Sequence, residues 1–218
     1  VILRIIGYLW MSSNIFLFRP FSYCTFLRRW YTYIRKICNR KGRVDMTKDK
    51  VFQLNQTAVE KLAEDYGTPL LVLSLDQVKA NYECLRTYMP RVKVFYAIKA
   101  NPNPEILRTM IDLGSSFDVA SAGEIRELNG MGVTGDRMIY ANPVKLGVGF
   151  KACRDCGVSK MTFDSASEIE KMQKELPGAT VLLRLRIDNS SAHVDLNKKF
   201  GAGRESAVEL MLKAKEAG

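Results

Sequence analysis

The chain has 218 residues, 47% hydrophobic and 26% charged, which is enough apolar side chain for a packed core and too much for a disordered or collagen-like polypeptide. Lys and Arg number 33 against 23 Asp and Glu, a formal charge of +10, but nine of the bases and only one acid fall in residues 1–45. The other 173 residues hold 24 bases and 22 acids, so a folded surface built for nucleic acid or an anionic membrane is not expected.

Residues 1–45 form a basic, aromatic leader with neither helical nor alternating periodicity. Only 14 uncharged residues separate Arg4 from Arg19, and Ser12, Ser13 and Asn14 are among them. A membrane-spanning helix needs about 20 apolar residues. The apolar stretch runs into Arg19-Pro20-Phe21 rather than the small residues of a signal-peptide cleavage site, so secretion is not expected either. The lack of acids would suit an organellar transit peptide. We prefer to read the leader as sequence lying upstream of the folded unit, because Met46 opens an ordinary protein start, MTKDKVFQLNQTAVEKLAEDYGTPLLVL. The division expected is therefore a leader outside the fold, 1–45, and a folded part, 46–218.

From about residue 68 short apolar runs alternate with longer amphipathic ones. Strands are predicted at 70–74, 92–98, 117–120, 138–141, 160–163 and 180–187, mostly as continuous apolar runs, the pattern of strands buried on both faces. Helices are predicted at 75–88, 103–113, 121–130, 146–156, 165–175 and 204–216, several closed by a glycine (Gly114, Gly130, Gly157, Gly178). Such an α/β alternation implies a parallel sheet. Either a (β/α)8 barrel or an open doubly wound sheet fits these periods.

Two motifs read as structure rather than function. Gly130-Met131-Gly132-Val133-Thr134-Gly135 matches the G-x-G-x-x-G dinucleotide fingerprint, but that mechanism needs glycines leaving a strand and opening a helix. Here they close one helix and lead into a strand. Cys153-Arg154-Asp155-Cys156 matches C-x-x-C inside a predicted helix, with no second pair or partner histidine for zinc. No metal is expected. The five cysteines are an odd number in a chain long enough to fold without disulfides, which suits a reducing, cytoplasmic setting, and the sequons at Asn55 and Asn189 then carry no meaning.

Chemistry concentrates in 93-KVFYAIKANPNPEIL, where an apolar strand ends at Lys99 and a Pro-rich turn leads into a helix near Pro104. A lysine at the C-terminal end of a barrel strand points into the active-site mouth. Flanked by Ala97, Ile98 and Ala100, it is expected to be partly desolvated, which lowers its pKa and frees neutral amine for attack on an aldehyde. A surface lysine at a strand end is the plainer alternative.

Five segments in order, YAIKANPNPEIL, FDVASAGEI, IYANPVK, TFDSASEIEKM and LLRLRIDNSSAHVDLNKKFGA, resemble the barrel domain of the fold-type III pyridoxal-phosphate decarboxylases, which act on ornithine, lysine, arginine and diaminopimelate. The resemblance runs from about Val51 to Gly218, and YAIKANP, FDVASAGE and VDLNKKFGA are most similar to bacterial lysine/ornithine decarboxylases. It implies an incomplete (β/α)8 TIM-type barrel, like that of alanine racemase, with the C-terminal β-domain absent. It also implies pyridoxal 5'-phosphate as cofactor and a small amino-acid substrate. Lys99 matches the lysine that bonds the cofactor aldehyde, Asp118 and Glu124 match acids on the cofactor side of the pocket, and Arg184 matches the arginine beside the cofactor ring. As plain structure, Asp118 and Glu124 would be acids favoured by a helix N-terminus, and Arg184 their partner.

Lys199-Phe200-Gly201 is similar to a dimer-contacting segment, so a homodimer is expected of the full-length protein. His193, the single histidine, does not match the family's ring-stacking histidine and reads as a loop residue. That histidine, the Gly-rich phosphate turn, the glutamate facing the ring nitrogen and the partner subunit's Cys and Asp all come later in the family than the stretch matched here. The expected activity is decarboxylation of ornithine or lysine to putrescine or cadaverine by the full-length dimer, in polyamine biosynthesis, with the present residues inactive alone. A non-catalytic regulatory homologue, diaminopimelate decarboxylation and racemase-like chemistry are the alternatives.

Overall fold

The computed structural model describes residues 2–5, 14–16, 53–186 and 200–218. They divide into two compact units, one of Val1–Ile6 with Val92–Gly218 and one of Gly7–Arg91.

In the larger unit β1 (Ile2–Ile5), β4 (Lys93–Ala97), β5 (Ser116–Val119), β6 (Met138–Tyr140), β7 (Lys160–Phe163) and β8 (Thr180–Leu183) form one sheet, with every neighbouring pair parallel. From β4 to β8 each strand is added beside its predecessor, on the same side each time. A doubly wound sheet reverses its direction of growth at a switch point, whereas a barrel does not. Strand order thus selects the barrel that hydrophobic periods alone leave open. Growth continues past β8, where Ala202 forms a parallel bridge with Leu185 and its N–H donates to the Arg184 carbonyl at 2.8 Å.

The intervening helices are α3 (Pro104–Asp112), α4 (Ala122–Gly130), α5 (Gly147–Cys156), α6 (Ala166–Glu175) and α7 (Ala207–Glu216), each within three residues of its predicted bounds. Their starts follow local chemistry. Asn103 caps α3 by accepting from the Glu105 N–H, with Pro104 in the first turn, and Ser121 caps α4 by accepting from the Glu124 N–H. Gly157 ends α5 in the left-handed region, φ 71°, where a Cβ is disfavoured. The core joins Phe95, Phe117, Met138, Met161 and Phe163 of the strands to Ile106, Leu107, Ile125, Leu128 and Phe150 of the helices, all nearly solvent-free. The G-x-G-x-x-G run spans the end of α4 and a short 3-10 turn at Gly135–Arg137 that leads into β6. Gly135 is there for packing, since a Cβ would fall 2.1 Å from the Gly157 carbonyl oxygen.

The smaller unit holds β2 (Asn14–Phe16), α1 (Gln56–Tyr66), β3 (Leu71–Leu73) and α2 (Leu75–Tyr88). α1 was not among the predicted helices, and none of its residues is buried, so it carries little apolar signal. β3, predicted as a strand of the parallel sheet, instead pairs antiparallel with β2, while the place beside β4 is taken by β1. Two short pieces of the 1–45 leader are therefore paired, and the rest of it lies outside the described residues. Among the described residues no helix is long and apolar enough to cross a membrane.

Candidate active site

Lys99 lies in a 3-10 turn, Ile98–Ala100, directly after β4. The turn is braced from below: the Tyr96 hydroxyl donates to the Asn101 carbonyl at 3.0 Å, Asn101 Oδ1 accepts from the Asn103 N–H, and Asn103 caps α3. Burial pushes the Tyr96 phenol up to about 12. The expected desolvation of Lys99 is not found. Ala97 and Ile98 are fully buried, but Lys99 itself is exposed. The turn rolls Ile98 into the core and lifts the lysine out, so its apolar neighbours give it no shield.

Asp118 is level with Ala97 in the β4–β5 register, and is 2% exposed. Side chains alternate along a strand, so it faces away from Phe117 and Val119. Glu124, half-buried in the first turn of α4, accepts from the backbone N–H groups of Ala120 and Ser121, a variant of the capping box in which Ser121 reciprocates. The expected structural role is thus real. Burial raises the Glu124 pKa, the two N–H bonds oppose this, and the Asp118 carboxylate adds to it while the Lys99 ammonium subtracts. Glu124 thus lies within electrostatic reach of both Asp118 and Lys99, beside the end of the sheet where β4 and β5 finish.

Arg184 follows β8 at the same end of the sheet, half-buried, with its guanidinium 5.2 Å from the centre of the Phe200 ring. Phe200 and Gly201 are held beside it, the Gly201 N–H donating to Asp164 at 2.8 Å. His193 and Lys199 lie outside the described residues. Cys153 is buried within α5 and burial pushes its thiol up to about 12, so it has the character of a core residue, and neither it nor Cys156 is in a disulfide. Among the described residues no group of three or more His, Cys, Asp or Glu could hold a metal ion. An apolar cleft of about 170 Å³ between α6, β8 and α7, lined by Ile169, Met172, Leu176, Val181 and Met211, includes none of the four candidates.

Sequence reasoning missed one cluster. Lys145, in the IYANPVK segment after β6, is 1% exposed, with its ammonium 2.8 Å from Glu168 and 2.8 Å from the Thr162 carbonyl. Its own N–H donates to the same Glu168 oxygen, and Lys171 pairs with the other one. Burial lowers the Lys145 pKa, with Glu168 opposing. The available signal was Glu168 itself, which lies on the apolar face of α6 with Ile169 and Met172. Although Lys145 is the more desolvated lysine, its amine is enclosed and already bonded, whereas that of Lys99 is open to an incoming group.

Residues 75–218 match the family model described as "Pyridoxal-dependent decarboxylase, pyridoxal binding domain". The chain is 53% identical over 169 residues to the lysine/ornithine decarboxylase of Selenomonas ruminantium, a match covering 78% of this chain and 43% of that protein. Among solved structures it resembles the lysine decarboxylase from Selenomonas ruminantium, with a TM-score of 0.71 at 53% identity over 77% of this chain and 44% of that one. It also resembles the arginine decarboxylase of Paramecium bursaria Chlorella virus, with a TM-score of 0.69 at 31% identity over 74% and 44%. The chain thus spans less than half the length of these relatives.

Proposed function

Because this chain belongs to the pyridoxal-dependent decarboxylases, as part of their pyridoxal-binding domain, we propose that the complete gene product removes the α-carboxylate of a basic amino acid, ornithine or lysine, releasing putrescine or cadaverine for polyamine synthesis. The observation that carries this reading is the solvent-open Lys99 amine, with Glu124 in electrostatic reach of both it and Asp118. That donor set suits the cofactor: an accessible amine for an aldehyde, two carboxylates for a cationic partner, and an arginine at the same end of the sheet for an anionic one. Pyridoxal phosphate, when bound, supplies the aldehyde and an electron-withdrawing ring that accepts the electron pair left behind as carbon dioxide departs.

The protein's share is placement. Tyr96 and Asn101 hold the turn that presents Lys99, and the capping bonds of Glu124 fix its carboxylate at the head of α4. With its pKa raised by burial, Glu124 retains a proton more readily than a free glutamate, and its charge is felt together with that of Lys99. Arg184 would stand beside the ring. The Phe200–Gly201 stretch, tied down by Asp164, suits a contact between copies of a homodimer, and a cytoplasmic setting fits the lack of any disulfide at Cys153 and Cys156.

Borohydride treatment of the complete gene product saturated with pyridoxal phosphate is expected to label Lys99, and Lys99→Ala to abolish both label and diamine release. A label on Lys145 or elsewhere, read by peptide mass spectrometry, would overturn the assignment. The 218 residues alone are expected to release no measurable diamine from ornithine or lysine, because the further groups the family uses lie outside them. Turnover by a sample of verified intact mass contradicts that expectation.

A further inference from the structure

The segment after β6 is packed inside out. Lys145 is buried, while Val144, Leu146 and Val148 around it are 48%, 70% and 60% exposed. Stability alone favours the reverse, since a buried ion pair gains little or nothing over well-packed apolar side chains of the same size. The ammonium is also over-determined. Besides Glu168 and Thr162 it approaches the Asn142 carbonyl at 3.3 Å and faces the rings of Tyr140 and Phe150 at 5.9 and 6.0 Å. A group held this tightly at a cost in desolvation fixes the position of what surrounds it.

What surrounds it leads to the candidate site. Tyr140 is 3% exposed, and its phenol fits against Gly149, where a Cβ would fall 2.6 Å from the hydroxyl oxygen. Glu124 and Glu168 both act electrostatically on that phenol. The backbone joins the same points: Tyr140 pairs with Val119, and the next N–H, Ala141, donates to the Val119 carbonyl at 2.9 Å. The residue after Val119 is Ala120, whose N–H is held by Glu124.

We propose that Lys145, fixed by Glu168, is a positioning residue for the active site, setting Tyr140 and through it the Val119–Glu124 turn that aims the Glu124 carboxylate. The catalytic part of this inference rests on the decarboxylase reading, and the structural part does not. The test uses the complete gene product and the double variant Lys145→Met/Glu168→Leu, which removes both charges at nearly constant volume so that the fold persists. Amide hydrogen exchange at Ala120 is expected to quicken about tenfold while Phe95 in β4 keeps its protection, and kcat to fall about tenfold with KM within about threefold.

Unchanged exchange at Ala120 in the folded double variant would overturn the proposal, as would equal acceleration at Ala120 and Phe95, the sign of general loosening. Wild-type turnover in the presence of faster exchange overturns the catalytic part. If the wild-type protein decarboxylates neither ornithine nor lysine, the reading of function fails and the exchange result still decides the structural claim. Should the double variant not fold, Lys145→Met alone, which leaves Glu168 paired with Lys171, is read by the same exchange measurement.

Discussion

Glu168→Leu is expected to destabilise the complete gene product by about 3–5 kcal/mol, the cost of leaving a buried charge without its counter-ion. Both side chains of the pair are nearly solvent-free, at 0% and 2%, so water cannot replace the lost carboxylate. The Lys145 amine keeps its carbonyl partners, but these neutralise no charge. Lys145→Met is expected to cost less, because Glu168 retains Lys171, whose ammonium is partly in water. The ordering Glu168→Leu worse than Lys145→Met, with the double variant better than Glu168→Leu alone, distinguishes a desolvated charge from lost packing. Urea melts of the three variants measure it, and a fall in melting temperature on the order of 10 °C for Glu168→Leu accompanies it. Equal losses for both single variants would mean that Lys171 offers no compensation.

The same cluster shows where the sequence was readable and where it was not. The helices of the larger unit fall close to their predicted bounds because apolar spacing, capping asparagine and serine, and closing glycines are local signals. The choice between barrel and open sheet was not local. It depends on the order in which strands are added, which no hydrophobic period encodes and which the family resemblance supplied. Leu71–Leu73 was correctly read as a strand but not as the partner of Asn14–Phe16, since pairing across such a distance in sequence leaves no mark on either run. Lys99 does lie at a strand end as its spacing predicts, but its exposure differs from the expectation because a single 3-10 turn decides which of Ile98 and Lys99 points inward. Lys145 was overlooked because a lysine between exposed aliphatic residues looks like an ordinary surface loop.

Raising the pH from 10 to 12 is expected to unfold the protein, with Tyr96, Tyr140 and Cys153 as causes. Burial holds both phenols up at about 12, against an ordinary value of 10.0, and both are less than a tenth exposed. The sign follows from proton counts. Below pH 10 both states keep these protons and the groups add no pH dependence. Between 10 and 12 the unfolded chain releases them while the native state does not, so stability is lost progressively as pH rises through this window. Each shift corresponds to roughly 2–3 kcal/mol at the top of the window. Cys153, also held up at about 12, acts in the same direction from a lower starting point. Stability measured by urea melts at pH 9 and pH 11 should therefore fall less for Tyr140→Phe than for the wild-type protein. Tyr96→Phe should show the same reduced slope but begin about 1 kcal/mol lower at pH 9, having lost its hydrogen bond to Asn101. Parallel losses in all three proteins would show that these phenols already ionise in the native state near pH 10, and absorbance at the phenolate band would report that ionisation directly.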